Sequence, residues 1–450
     1  MSEQVVIKFG GTSNATAETV QQCADLGRDS QILVTSAPGR LSDEQLAGFS
    51  PESDIQAEFL TEKVTDQSLA ARAAYLNVGE IPRYMLDGVT ERYREIVTGL
   101  GITSLQTEWL RNIAPRLETA AKFGEDYASM IGERFQAEIY QAMGWRLLDP
   151  ARSPVALSAD QPDSWKAWLQ PLVTERQSHI LPGNTYYDGE RLRTFSRDGS
   201  TLSGALAAYA IAAEVYRNMT DTPAQSIPPK LMPSASRRRI IEHLTYQEGR
   251  ELHRNGSGIL HPAAIVPLMR AGIPTELRNT FDPDGPFTLY NNTVDPERIG
   301  RVMAISMREI AAIKVHEPGM AGKHGRLAAF DNRLRDAGIS IDSESLGGDR
   351  QLFIVNSPDG GAAETAVRQA TASHDGEVAS RNCALIALVG YGLNTRALDI
   401  RLALHQNTAF GEHDRSGNSY WLEGIHSLRF TVPRTAAPDI IDKAHAALIE

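Results

Sequence analysis

The sequence predicts an α/β protein: a mainly parallel sheet covered by helices on both faces, followed by two small α+β modules. Three observations carry this reading. Short β-branched runs near the N-terminus stop at glycine turns and give way to helical spacing. Strand-like and helical stretches then alternate through the first two thirds, as crossover helices between parallel strands require. The last third holds two similar pieces of strand, helix and strand in tandem. At 450 residues the chain is too long for one ordinary domain. Two or three are expected at roughly 100–200 residues each.

The elements follow in order. Val5-Val6-Ile7-Lys8-Phe9 reads as a buried strand, Gly10–Asn14 as a loop, and Ala17, Val20 and Ala24 as one helix face. Gln31–Thr35 is a second strand, closed by Ser36-Ala37-Pro38-Gly39. From about Asp54 to Gly144 the spacing is helical; strand character returns at Trp145–Leu148, His179–Leu181 and Leu192–Phe195. Ser200-Thr201 are suited to cap a helix over Leu202–Val215. Thr222–Arg239, with four prolines and the triplet Arg237-Arg238-Arg239, reads as a solvated surface loop. Thr280–Pro296 reads as a linker. The first C-terminal piece then has strands at Ile310–Val315, Ile339–Asp342 and Gln351–Val355 around a helix at Arg326–Ala337. The second has strands at Ala384–Val389 and Leu428–Val432, and a last helix from Pro438 to Ile449. Domains are expected over 1–290, 305–380 and 381–450, with 291–304 as linker and the last two free to interlock.

Composition narrows the function classes. Apolar residues are 42% and charged residues 22%, ordinary for a globular chain, and no apolar run approaches the ~18 residues of a membrane span. A net charge of −11 without a basic tract argues against nucleic acid or an anionic membrane as partner. An anionic ligand must then be held by local devices. Cys23 and Cys383 are the two cysteines, too few for a disulfide scaffold or a thiolate zinc site. Glu3 is followed directly by strand, without a secretory signal, so the cytoplasm is the expected location.

The first of four chemical constellations is strand, Lys8-Phe9-Gly10-Gly11-Thr12-Ser13, helix. Glycines let backbone approach an anion, N–H groups at the helix start point at it, and a lysine adds full charge. The lysine precedes the glycines, so this is not the GxxxxGK[ST] loop. The second is Thr194–Gly204, with Arg197 upstream of a hydroxyl-rich helix start and suited to grip a carboxylate with two hydrogen bonds. The third is Met219-Thr220-Asp221-Thr222-Pro223. The fourth is Phe123-Gly124-Glu125-Asp126, a carboxylate at a helix start.

In this order, these motifs resemble the aspartokinases of the amino-acid kinase superfamily. Lys8–Ser13 is similar to KFGGTS, Val34–Gly39 to VVSAPG, Gly124–Asp126 to GED, and Thr194–Gly204 to TFSRGGSDITG. Thr65-Asp66 resembles the start of a following helix, and Thr220-Asp221 the start of TDVDG. Leu244–Leu260 resembles LTYREMRELAYAGFSVL, and Ile273–Asn279 a strand of the form IPV.IKNT. The tandem C-terminal pieces resemble the family's two ACT modules, and the likeness covers essentially the whole chain. Some positions depart. Thr201 replaces the aspartate of RGGSD, Asp198 replaces a glycine, the glycine and tyrosine after TDVD are lost, and Gly258 stands where GAKVLHP has lysine.

The resemblance implies a three-layer amino-acid kinase domain that uses ATP and Mg²⁺ to phosphorylate the side-chain carboxylate of aspartate. Lys8, Arg197 and Thr201 would occupy the catalytic positions. Ser36, Thr65, Glu125 and Arg197 would bind the amino acid, Glu125 at its ammonium group. Lys8, Gly10, Gly11, Thr220, Asp221 and Lys230 would bind ATP. An amino-acid effector such as lysine or threonine would lie near Met320, Gly325 and Asp342, in a homodimer joined through the ACT modules, or a tetramer. With a carboxylate missing at Thr201, a kinase for another carboxylate and a weakly active or inactive regulatory homologue stay open beside the aspartate kinase.

Overall fold

The computed structural model describes residues 4–38, 83–123, 125–173, 177–195, 199–232, 237–257, 260–320, 325–371, 376–411 and 420–449. They form two compact units. One comprises Met1–Ala224, Glu242–Tyr246 and Leu260–Thr293; the other comprises Gln225–Ile241, Gln247–Ile259 and Val294–Glu450.

The first unit is built on an eight-stranded sheet. Its strands are β1 (Val5–Phe9), β2 (Ile32–Thr35), β3 (Arg146–Leu147), β4 (His179–Pro182), β7 (Val215–Thr220), β8 (His243–Thr245), β9 (Thr275–Asn279) and β10 (Thr288–Asn291), with β5 (Thr185–Tyr187) and β6 (Leu192–Thr194) forming a separate hairpin. The order is β3-β4-β2-β1-β7-β9-β10-β8, parallel except for the β9–β10 pair. The chain leaves β1 toward β2 and later returns on β1's other side as β7. The sheet therefore reverses its winding between β1 and β7, where open α/β sheets form a crevice at the strands' carboxyl ends.

Alternation assigns the two faces. Ile7, Phe9, Leu33 and Met219 bury into one core with Val20 and Cys23 of the helix Ala17–Gly27, Tyr93 and Ile96 of Arg83–Gly99, Leu110 and Ile113 of Glu108–Phe123, and Phe135 and Tyr140 of Glu125–Ala142. Lys8 and Val34 face the other way, with Tyr216 and Asn218 of β7. The helix Gly199–Ala210 covers that face. Its Gly204 sits on the Tyr216 ring, and the Tyr216 hydroxyl donates to the Thr201 carbonyl at 3.2 Å. Three layers result.

Three sequence expectations need correction here. The helix expected over Leu202–Val215 runs from Gly199 to Ala210, because Val215 opens β7. The stretch Thr280–Pro296 is not wholly linker: β10 lies within it, between β9 and β8 in the sheet. Its Asp-Pro and Gly-Pro pairs flank the strand and mask it. Thr222–Arg239 is not a solvated loop either. Ala224, Ser226, Ile227 and Met232 are buried, too widely spaced among prolines to show a period.

The second unit holds one antiparallel sheet of β11 (Ala304–His316), β12 (Ile341–Gly347), β13 (Arg350–Asn356), β14 (Glu377–Val389), β15 (Trp421–Glu423) and β16 (Ser427–Val432), in the order β12-β13-β11-β14-β16-β15. β11 and β14 pair without interruption from Ala304↔Val389 to His316↔Glu377. Ala311, Ile313 and Val315 pack with the helices Arg326–Asp336 and Gly360–Ala370. Ile305, Ile386 and Leu388 pack with Ala397–Asn407 and Ala437–Leu448. Ile227 and Met232 belong to this second core. Ser226 ties them in: its carbonyl accepts from Ile305 N–H at 2.8 Å, and its Oγ lies 2.9 Å from His445 Nε2.

Two outcomes follow from this packing. A Cβ at Gly204 would stand 2.6 Å from the Tyr216 oxygen, so Gly204→Ala is expected to destabilise by about 1–3 kcal/mol, read by urea denaturation. Both thiols are buried, and burial pushes Cys23 well up and Cys383 to about 11. Native protein should therefore leave both unlabelled by a thiol reagent at pH 8, and both should react in denaturant.

Candidate active site

The crevice between β1 and β7 gathers much of what the motifs suggested. Lys8 is 8% exposed on β1, paired with Val34 on one side and Asn218 on the other. Its Nζ lies 3.9 Å from where a side chain at Gly10 would begin. The ammonium thus curls over the glycine loop, and a Cβ there would meet it. Gly10 N–H donates to Met219 C=O at 3.2 Å, extending the β1–β7 ladder by one rung. Gly10 therefore contributes close approach rather than an anion-binding amide.

The loop is held from inside the protein. Asn14, fully buried, donates from Nδ2 to the Gly10 carbonyl at 3.0 Å and accepts from the Tyr140 hydroxyl at 3.0 Å. Ser13 Oγ and Thr280 Oγ1 are 2.7 Å apart, which ties the loop to the end of β9. A 3₁₀ turn, Thr12–Asn14, separates the glycines from the helix Ala17–Gly27, whose start is closed by a Thr16–Thr19 capping box. The glycines do not lead straight into that helix, contrary to the sequence reading.

The second strand and the second motif meet. Ser36 Oγ donates to Ser200 Oγ at 2.9 Å. Gly183, which donates to Thr35 C=O at 3.0 Å, permits this approach: a Cβ there would lie 2.5 Å from Ser200 Cβ. Gly199 is equally constrained, since its Cβ would overlap the Asn184 carboxamide. Thr201 is buried at 7% exposure on the first turn of the helix Gly199–Ala210. Thr220 closes β7, and its Oγ1 donates to Asp221 Oδ1 at 3.1 Å.

Other expected residues lie outside the described part or belong to the second unit. Thr65, Arg197 and Gly258 lie outside the described residues, as does the Glu125 side chain, although Glu125 begins the helix Glu125–Ala142. Lys230 belongs to the other unit, where it is exposed and its Nζ donates to the Gly256 carbonyl at 3.2 Å. Met320 is buried in that unit, and Gly325, at φ +79, caps the helix Arg326–Asp336. Asp342 is on β12, its side chain outside the described part. Sequence reasoning missed Asn14 and Asn218. Asn14 directly follows the glycine motif, and a polar residue inside an otherwise apolar β7 was the available signal at Asn218.

Comparison with known proteins agrees with this geometry. The sequence model of the amino acid kinase family matches residues 3–279, more than half the chain. The chain belongs to that family. Among curated amino acid kinases it is similar to aspartokinase 3 of Bacillus subtilis, 28% identical over 306 residues, covering 62% of this chain and 61% of that protein. It is also similar to the bifunctional aspartokinase/homoserine dehydrogenase of Haemophilus influenzae, 25% identical over 361 residues, covering 75% and 42%. The chain therefore spans less than two thirds of these relatives' length. In fold, this amino acid kinase matches the Clostridium acetobutylicum aspartate kinase with a TM-score of 0.75 at 21% identity, covering 99% of this chain and 100% of that one. It matches Escherichia coli aspartokinase III in complex with aspartate and ADP with a TM-score of 0.68 at 20% identity, each chain fully covered. The fold likeness covers 99% of this chain and so extends through the antiparallel unit. Among the described residues no helix is long and apolar enough to cross a membrane.

The Asn14 contacts generate one outcome. Asn14→Ala strips the Gly10 carbonyl and the buried Tyr140 hydroxyl of their partner, at about 1–3 kcal/mol. Thermal melts should show the loss.

Proposed function

We propose that this protein is an ATP-dependent kinase that phosphorylates the side-chain carboxylate of L-aspartate, forming 4-phospho-L-aspartate at the head of the aspartate-derived amino-acid pathway. The observation that carries the reading is the buried Lys8 ammonium curled over Gly10 at the β1–β7 crevice. The Ser36–Ser200 contact supports it by joining two family motifs at the same sheet edge. The acceptor carboxylate is already ionised at pH 7, so no strong base is needed. One of its oxygens attacks the γ-phosphorus, the bond to the bridging oxygen breaks, and ADP leaves. What remains for the protein is positioning and charge neutralisation.

In this scheme Lys8 and the Gly11 amide hold phosphates, with Thr220 and Asp221 at the nucleotide and Lys230 as a further cation. Arg197 and Glu125 grip the two charged ends of the amino acid, with Ser36 and Thr65 lining its site. Mg²⁺ is commonly held by substrate phosphates plus one or two carboxylates, and Asp221 at the end of β7 suits that role. Met320, Gly325 and Asp342 would meet an amino-acid effector in an ACT-linked homodimer, in the cytoplasm.

Thr201 favours a second reading on the same scaffold. A neutral threonine stands where the family resemblance expects aspartate, and loss of one such electrostatic group commonly costs ~10²–10³ in rate. A slower aspartate kinase or one selective for a different carboxylate accounts for it.

A coupled ADP-release assay with aspartate, its analogues and no acceptor separates these readings. Aspartate-dependent release is expected. Arg197→Ala should raise KM for aspartate by about 10–150-fold, the equivalent of one charge-assisted contact of ~1.5–3 kcal/mol, with KM for ATP little changed. Release that depends on another carboxylate instead would establish the second reading.

A further inference from the structure

Asn218 stands directly beside Lys8. The two are register partners on adjacent parallel strands, so their side chains project from the same face of the sheet. Asn218 is 4% exposed, and its Oδ1 is enclosed without a hydrogen-bond partner among the described residues. Two residues earlier on that face, Tyr216 holds the Thr201 carbonyl and so fixes the first turn of the helix Gly199–Ala210 over this strip. A lysine and an amide oxygen lacking a donor thus share one buried strip of the sheet, under a helix whose first turn carries the neutral Thr201.

That oxygen is costly as it stands. A buried carbonyl left without a donor loses about 1–3 kcal/mol, and an apolar side chain would suit an interior strand better. A donor that reaches it when ligand is bound would offset that cost. Lys8 supplies three N–H donors on a flexible stem long enough to cross the ~4.8 Å between neighbouring strands.

We propose that Asn218 is a positioning residue for Lys8: its Oδ1 accepts an ammonium N–H and so turns the ammonium toward the transferring phosphoryl group. The inference rests on the kinase reading above and deepens it. A carboxylate at position 201 would orient the lysine while neutralising it. A carboxamide orients it and leaves its full charge for the phosphates. Asn218 thus takes over orientation where Thr201 carries no charge.

The test compares Asn218→Leu, which removes the acceptor at similar volume, with Asn218→Asp, which keeps one. Three quantities are measured for each: melting temperature, MgATP affinity by calorimetry, and turnover with aspartate. The leucine variant should melt at or above the wild-type temperature, since an unsatisfied polar atom is gone. It should also bind MgATP about fivefold to tenfold more weakly and lose about tenfold in kcat, with KM for aspartate within about twofold. The aspartate variant should melt lower yet recover most of the affinity and kcat. Wild-type affinity and turnover in the leucine variant would overturn the proposal. So would equal losses in both variants, because the acceptor would then be irrelevant. The calorimetric arm needs no phosphoryl acceptor. A wild type that binds MgATP but ignores aspartate would count against the aspartate reading alone, whereas a wild type that binds no MgATP would overturn both.

Discussion

A buried ammonium at the end of a five-residue strand organises the kinase unit. Lys8 has lost nearly all its contact with water, a condition that proteins tolerate only when neighbouring groups compensate the charge. Around it, the register with β2 and β7 sets its height, the Gly10 turn gives its head room, and the helix Gly199–Ala210 roofs it through Gly204 and Tyr216. The loop beneath is braced by Asn14, Tyr140 and Thr280. Each contact makes the position of one charge more exact, which the proposed phosphoryl transfer would demand of a protein with little covalent chemistry to perform.

The glycines of this unit are placed by distance more than by dihedral freedom. Gly183, Gly199 and Gly204 all mark points where the helix start presses against a strand end or a ring. Close approach there is what brings Ser36 to Ser200. A single methyl group at any of the three would push the helix away from the sheet and open the crevice.

Much of this was legible in the sequence, and the limits have physical causes. β1, β2 and their glycine and proline turns show in local pattern because burial on both faces selects β-branched runs. The long strands of the antiparallel unit and the helix at Arg326 show in local pattern too. The segment around Ile227 and Met232 did not, because its apolar residues answer to a tertiary core and have no period of their own. β10 was hidden by its flanking prolines and glycine, and the helix Gly360–Ala370 by its two leading glycines. Within the site, Lys8 and Ser36 were visible as motif members. The roles of Asn14 and Asn218 depend on register and on contacts across about 120 residues or more of chain, which no local pattern reports.

The structure of the complex with MgADP and aspartate tests the central claim most directly. The nucleotide's phosphates are expected at the β1–β7 crevice, against Lys8 Nζ and the Gly11 amide, with the amino acid between them and Ser36. A nucleotide bound elsewhere, or none at saturating concentration, would contradict it.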